Sequence, residues 1–245
     1  MARILVTGSA DGLGRATAAS LLDDGHDVIV HARSEARLSA VDDLLARGAG
    51  HVIGDLVDLD QVRELAEQAE ELGPFDAVIH NAGVIDGPAL LPVNVVAPYI
   101  LTALVPASRL ICLSSSMHRG GKIDLARADW SGARATMSYS TSKLLVTALM
   151  AAMARRRPSI LANAVDPGWV PTRMGGPSAS DDLELGHVTQ AWLAASDDPE
   201  ALVSGRYWFH QRTEEPHPAV HDHTFQDALL AALAEHTGVD LPATG

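Results

Sequence analysis

The sequence predicts an α/β fold, a single domain built on one doubly wound, mostly parallel sheet of seven strands. Three observations carry this. Short apolar runs alternate along the chain with helix-period segments of about 10–15 residues, which is the pattern of parallel βαβ units. The apolar runs are nearly continuous, so both faces of the sheet are expected to be covered. The 245 residues, 47% of them hydrophobic, suffice for one core and are too apolar for a disordered chain.

The elements follow in order. Ile4 to Thr7 is a short apolar run ending at glycine and reads as a buried strand. Leu13, Ala16, Leu21 and Leu22 then give residues 13–23 one apolar helical face. His26 to His31 is the second strand, followed by a helix over 35–46 with Leu38, Val41, Leu44 and Leu45 on one side. His51 to Gly54 and a helix over about 60–72 form the third unit. Phe75 to His80 is the fourth strand and Leu110 to Leu113 the fifth. Tyr139 to Arg155 is a long helix, and Ile160 to Val165 the sixth strand. A helix over roughly 182–195, an aromatic strand from Arg206 to His210 and a last helix over about 223–235 complete the set. The turn-rich stretch 171–182 reads as a loop over a site and not as a domain boundary.

Composition excludes several functions. Lys and Arg number 18 against 31 Asp and Glu, a net charge of −13, which disfavours nucleic acid and anionic lipid as partners. The one cysteine, Cys112, excludes an internal disulfide and a cysteine-cluster metal site. The start, MARILVTG, is unlike a secretory signal, so a cytoplasmic location is expected. Residues 87–108 carry no charge but contain Pro88, Pro92, Pro98 and Pro106. They are expected to form a buried loop and short helix, not a membrane span.

Chemistry gathers at two motifs. The first strand ends in Thr7-Gly8-Ser9-Ala10-Asp11-Gly12-Leu13-Gly14, where a helix opens. Gly8 can turn tightly, Gly12 admits a pyrophosphate against backbone, and Gly14 lets helix and strand pack closely. The helix N-terminus then faces the anion. The second strand ends in His31-Ala32-Arg33-Ser34. A carboxylate here would bind a ribose 2′-hydroxyl; it is absent, and the Arg33 guanidinium suits a 2′-phosphate. That favours NADP(H) over NAD(H), although Asp11 places a carboxylate near the same phosphate.

The second motif is Tyr139-Ser-Thr-Ser-Lys143. Residues four apart share a helix face. A lysine ammonium beside a phenol is expected to lower its pKa from about 10 and ready it for proton transfer. The chain has only two lysines and three tyrosines, so chance seldom produces this spacing. Ser114, Ser115 and Ser116 follow the fifth strand, at the sheet end where ligands lie in such folds.

With these motifs the chain resembles the short-chain dehydrogenase/reductase family over essentially residues 3–210. Within that family its pattern is most similar to the retinol-dehydrogenase-like and protochlorophyllide-reductase-like branch, through the long gap from Ser115 to Tyr139 with His118 in it. The resemblance implies a Rossmann fold and carries roles over residue by residue. Asn94, Ser115, Tyr139 and Lys143 match the catalytic tetrad. Thr7, Gly8, Ser9, Asp11, Gly12, Leu13, Gly14 and Arg33 would hold the nucleotide. Asp55 and Leu56 would line the adenine, and Asn81, Ala82 and Gly83 would hold the central strands and nucleotide. Tyr139 and Lys143 would also touch the cofactor, and Pro167, Gly168, Val170 and Thr172 would border the nicotinamide. His80 departs from the asparagine usual before Asn81.

The implied function is NADP-dependent interconversion of a carbonyl and an alcohol by hydride transfer. Tyr139 would act as acid or base, Ser115 would polarise the substrate oxygen, and Lys143 would hold the ribose. Asn94 would seat a relay water. A sugar-nucleotide epimerase or dehydratase of the same fold, or a non-enzymatic NADP sensor, are the alternatives. The partner is then a small-molecule carbonyl or alcohol, closed in by a substrate loop over about 169–195 and a C-terminal segment over 207–245. Trp169 is the leading pocket candidate. No metal is expected, since His210, His217, His221 and His223 follow no familiar ligand spacing. Family members commonly pair through the helices after strands four and five. Pro98 and Pro106 shorten the first of these, so a monomer, or a dimer through another surface, is expected.

Overall fold

A computed structural model describes residues 1–241; the last four residues of the expected domain, 242–245, lie outside it. The strands are β1 (Arg3–Val6), β2 (Asp27–Ala32), β3 (Gly50–Ile53), β4 (Phe75–His80), β5 (Ala107–Leu113), β6 (Leu161–Asp166), β7 (Tyr207–Phe209) and β8 (Arg212–Glu214). They form one sheet in the order β3-β2-β1-β4-β5-β6-β7-β8. The first seven are parallel and β8 is antiparallel to β7. The sheet therefore has eight strands and not the expected seven. The extra edge strand was hidden because its two-residue turn, His210-Gln211, has positive φ at both positions (45° and 58°) without a glycine or asparagine to signal it.

Helices cover both faces. They are α1 (Gly12–Asp23), α2 (Asp42–Ala46), α3 (Leu59–Glu71), α4 (Ala97–Leu104), α5 (Tyr139–Arg156), α6 (Leu183–Ala195) and α7 (His223–Thr237). Buried apolar residues form two clusters, one on each face. Adjacent residues of β4 divide between them: Val78 joins one cluster, Ala77 and Ile79 the other. This two-sided burial accounts for the unbroken apolar runs in the sequence.

Two expected helices differ. The segment 35–46 is a 3-10 stretch (Glu35–Val41) followed by the short α2. Only Val41 and Leu44 are buried there, so tertiary packing contributes little to a regular helix. The helix after β4 is longer than its prolines suggested. Helical turns begin at Leu90, continue through a π-helical turn at Pro92–Val96 and run into α4. Pro98 has no N–H for the Asn94 carbonyl four residues back, and the wide turn ends just before it.

The C-terminal helix packs against α5. Phe225, Leu229, Leu230 and Leu233 of α7 join the cluster that contains α4 and α5. Tyr99 Oη donates to the Val239 carbonyl at 2.7 Å, and Arg63 donates to the Thr237 carbonyl at 2.7 Å. Among the described residues no helix is long and apolar enough to cross a membrane.

Candidate active site

The site forms where the loops after β1, β4, β5 and β6 meet. Its glycine loop is built around the Thr7 hydroxyl, which accepts the amides of Asn81 (3.0 Å) and Ala82 (3.1 Å). Asn81 Nδ2 returns a hydrogen bond to the Thr7 carbonyl at 2.8 Å. Gly8 and Gly14 leave no room for a side chain. A Cβ on Gly8 (φ +66°) would lie 2.8 Å from Ala82 Cα, and one on Gly14 would lie 2.3 Å from Asn81 Nδ2 and 2.6 Å from the Gly8 carbonyl. A Cβ on Gly12 (φ +54°) would meet Thr172, which brings the loop after β6 against the glycine loop. Asp11 caps α1, its carboxylate accepting the Gly12 amide at 2.7 Å.

His31 is a member of this loop that the sequence did not single out. Its Nδ1 accepts the Gly8 amide at 2.9 Å, and its Nε2 lies 2.8 Å from the Gly54 carbonyl. An amide can only donate, so Nε2 carries the proton and the ring is neutral. Burial pushes its pKa down, against the Gly54 bond and the charge of Asp55. One residue on, Arg33 is exposed at the end of β2 and makes no ion pair among the described residues. Asp55 accepts the Val57 amide at 3.1 Å, and Leu56 is buried.

Across the sheet, Gly83, Asn94 and Lys143 converge. A Cβ on Gly83 would lie 3.4 Å from Asn94 Oδ1 and 3.5 Å from Lys143 Nζ. Asn94 is buried in its π turn with its side chain engaged. Oδ1 accepts the Val84 amide at 2.8 Å, and Nδ2 donates to the Val84 carbonyl and to Ser142 Oγ, each at 2.9 Å.

Tyr139 and Lys143 open α5, whose N-cap Ser138 accepts the Thr141 amide. Lys143 is 4% exposed, its Nζ donates to the Leu113 carbonyl at 2.6 Å, and it lies 5.6 Å from the centre of the Tyr139 ring. Burial pushes its pKa down to about 8. The expected lowering of the Tyr139 pKa is not what the structure gives. Burial first, then the Asp166 carboxylate, push the phenol up to about 12, with the nearby Ser115 hydroxyl opposing them. Lys143 turns one N–H to the Leu113 carbonyl and is not among the groups that hold the phenol down.

The serines after β5 separate clearly. Ser114 is buried, with its hydroxyl 2.6 Å from Thr147 Oγ1. Ser115 accepts the Met117 amide at 3.2 Å, and its hydroxyl lies near enough to the Tyr139 phenol to hold that group's pKa down.

The loop after β6 is self-tied. Gly168 (φ +83°) sits where a Cβ would lie 2.5 Å from Asp181 Oδ2. The Trp169 amide donates to that carboxylate at 2.7 Å, and the Asp181 amide returns to the Trp169 carbonyl at 2.9 Å. Trp169 is 54% exposed and its indole donates to the Gly175 carbonyl at 2.9 Å. Pro167 is half-buried and Val170 buried. The expected substrate loop over 169–195 is shorter: it ends at Asp182, and 183–195 is α6, packed on α1. The structure thus draws Thr7 to Gly14 together with Asn81 to Gly83 and Thr172, and Asn94, Ser115, Tyr139 and Lys143 around Gly83 and Asp166. Among the described residues, no three His, Cys, Asp or Glu side chains converge as a metal site.

A model of the short chain dehydrogenase family matches residues 2–183. The chain belongs to the short-chain dehydrogenase family. A Penicillium rubens protein named short-chain dehydrogenase chyC is 37% identical over 99% of this chain and 100% of its own length. Human retinol dehydrogenase 13 is 27% identical over 98% of this chain and 86% of its own. The crystal structure of a blue fluorescent protein from a metagenomic library, in complex with NADPH, superposes with a TM-score of 0.69 at 25% identity, covering 85% of this chain and 95% of that one. The chain is an oxidoreductase of this family with retinol-dehydrogenase-like relatives.

Proposed function

We propose that this short-chain dehydrogenase uses NADP(H) to reduce a small-molecule carbonyl to an alcohol, with Tyr139 as the proton donor. The observation that carries the reading is the convergence of the half-buried Tyr139 with a buried lysine, its Nζ 5.6 Å from the tyrosine ring centre, at the sheet end that also holds Ser115 and the glycine loop. The cofactor fits what the chain offers. Gly8 and Gly12 adopt positive φ at the N-terminus of α1, and Arg33 stands exposed 19 residues after Gly14 with its charge free to meet a 2′-phosphate. The NADPH complex of the structural neighbour supports the same cofactor. When bound, the nicotinamide supplies the hydride.

The rest of the work falls to the chain. Ser115 donates a hydrogen bond to the substrate oxygen and holds it beside Tyr139. The phenol, with its pKa pushed up to about 12, is protonated near neutral pH and gives its proton to the oxygen as negative charge develops there. Lys143, held on the Leu113 carbonyl, presents its remaining N–H donors to a ribose. Asn94 fixes Val84 and, through Ser142, the first turn of α5, so it acts by holding the loop after β4 against the tyrosine helix. NADPH oxidation measured across a panel of aldehydes and ketones tests this. Turnover of carbonyls with NADPH preferred to NADH is expected. NADPH binding with no turnover across the panel would overturn the enzymatic reading in favour of a sensor.

A further inference from the structure

Ser115 is held from an unexpected quarter. His118, three residues on, is fully buried. Its Nδ1 lies 2.7 Å from the Ser115 carbonyl, and its Nε2 accepts the backbone amide of His217 at 3.0 Å. Because an amide only donates, Nε2 is the bare nitrogen and Nδ1–H donates to Ser115. Both ring nitrogens are therefore committed, and the ring is neutral. Burial, the largest influence, pushes its pKa down, in keeping with that state.

The ring also packs on Tyr207 of β7, with centroids 4.6 Å apart. The Tyr207 hydroxyl donates to Asp166 Oδ2 at 3.1 Å, while Asp166 Oδ1 accepts the Gly168 amide at 3.0 Å. Arg119 lies over the outer side of the network, 5.3 Å from the Tyr207 ring centre, and pairs with Glu214 of β8 at 2.7 Å. One imidazole thus joins the serine loop after β5 to β7 and to the segment after β8, and through the Tyr207 hydroxyl it is linked to Asp166 at the end of β6. The histidine-rich run after β7, which no substrate or metal role absorbs, supplies the far end of the link.

We propose that His118 is a positioning residue: as a neutral imidazole it locks the Ser115 peptide to the amide of His217, so that the C-terminal segment 207–217 sets where the Ser115 hydroxyl meets Tyr139. This rests on the reading of Ser115 as the group that holds the substrate oxygen. A misplacement of about 1 Å in such a group can cost on the order of a hundredfold in rate.

The test is a double-mutant cycle on the full-length enzyme. His118→Phe keeps the ring and its stacking on Tyr207 but removes both hydrogen bonds. It is expected to lower kcat ten- to a hundredfold, with NADPH affinity within twofold of wild type. His118→Asn, which restores one donor towards Ser115, is expected to recover part of the loss. If His118 acts through Ser115, the His118→Phe/Ser115→Ala double variant is no slower than Ser115→Ala alone. Multiplying losses, or a kcat unchanged in His118→Phe, would overturn the proposal while leaving the reading of Ser115 intact. Full activity in Ser115→Ala would overturn that reading and the proposal with it. Should His118→Phe not fold, His217→Pro against His217→Ala makes the same measurement. Both remove the imidazole, but only proline removes the amide, and the φ of −56° at His217 is one that proline adopts. His217→Pro is expected to fall below His217→Ala in kcat by tenfold or more, and equal rates would overturn the link.

Discussion

Lys143→Met is expected to make the protein more stable while abolishing turnover. Lys143 is 4% exposed, and burial lowers its pKa from 10.5 to about 8. The folded state therefore disfavours the charged form by about 3 kcal/mol. Methionine fills a similar volume without the charge but gives up the 2.6 Å hydrogen bond to the Leu113 carbonyl, a loss of about 1 kcal/mol. The net gain near pH 7 is about 2 kcal/mol, or roughly 4–8 °C in Tm for a chain of this size. The sign follows from linkage. A folded pKa below the unfolded one contributes stability that is present above pH 10.5 and is lost as pH falls towards 8. Wild type should therefore strengthen as pH rises from 8 to 10.5, and the advantage of the variant should shrink and reverse. Urea unfolding of both proteins at pH 7, 9 and 10, followed by circular dichroism, reads this directly. A variant less stable than wild type at pH 7, or a gap that stays constant with pH, would refute the reasoning. The buried ammonium would then be no burden on the fold, and its retention would need no functional explanation.

Arg33→Ala is expected to weaken NADPH binding at least tenfold and NADH binding less than twofold by fluorescence titration; equal losses would mean that Arg33 only covers the strand end. His80, fully buried with its pKa pushed down to about 4, contributes stability that is present above about pH 6.5 and is lost as pH falls to 4. His80→Asn should remove up to about 3 kcal/mol of that acid loss in unfolding measurements at pH 7 and pH 4, and an unchanged pH slope would contradict the burial argument. The protein is expected to be a monomer, or a dimer through another surface, by light scattering at micromolar concentration, because α7 packs on α5 and joins the cluster of α4 and α5, the helices through which the family commonly pairs. A stable dimer built on residues 94–105 and 139–155 would contradict this.

The order of elements and the position of both chemical motifs were legible because each rests on local pattern. The glycine loop announces itself by the three places where a Cβ or an ordinary φ would not fit, and Tyr139 with Lys143 by their spacing on one helix face. What escaped notice is long-range. The Lys143 ammonium lies near the tyrosine ring yet bonds to the Leu113 carbonyl, and burial first, then Asp166 at a strand end, raise the phenol pKa instead of leaving it lowered. His31 read as an ordinary strand residue, although the Gly8 amide ends on it. His118 and His217, 99 residues apart, carry no sequence sign of their contact. The edge strand β8 was lost for a local reason, a two-residue turn made from histidine and glutamine. The continuation of helix past Pro98 needed a π turn that no propensity encodes.

Tyr139→Phe tests the central claim most directly, read as single-turnover carbonyl reduction beside NADPH titration on the same protein. The substitution removes one oxygen from a half-buried ring and leaves the glycine loop and Arg33 as they are. A fall in turnover of a hundredfold or more with NADPH affinity within twofold of wild type is the predicted result. Turnover close to wild type would show that the proton comes from elsewhere.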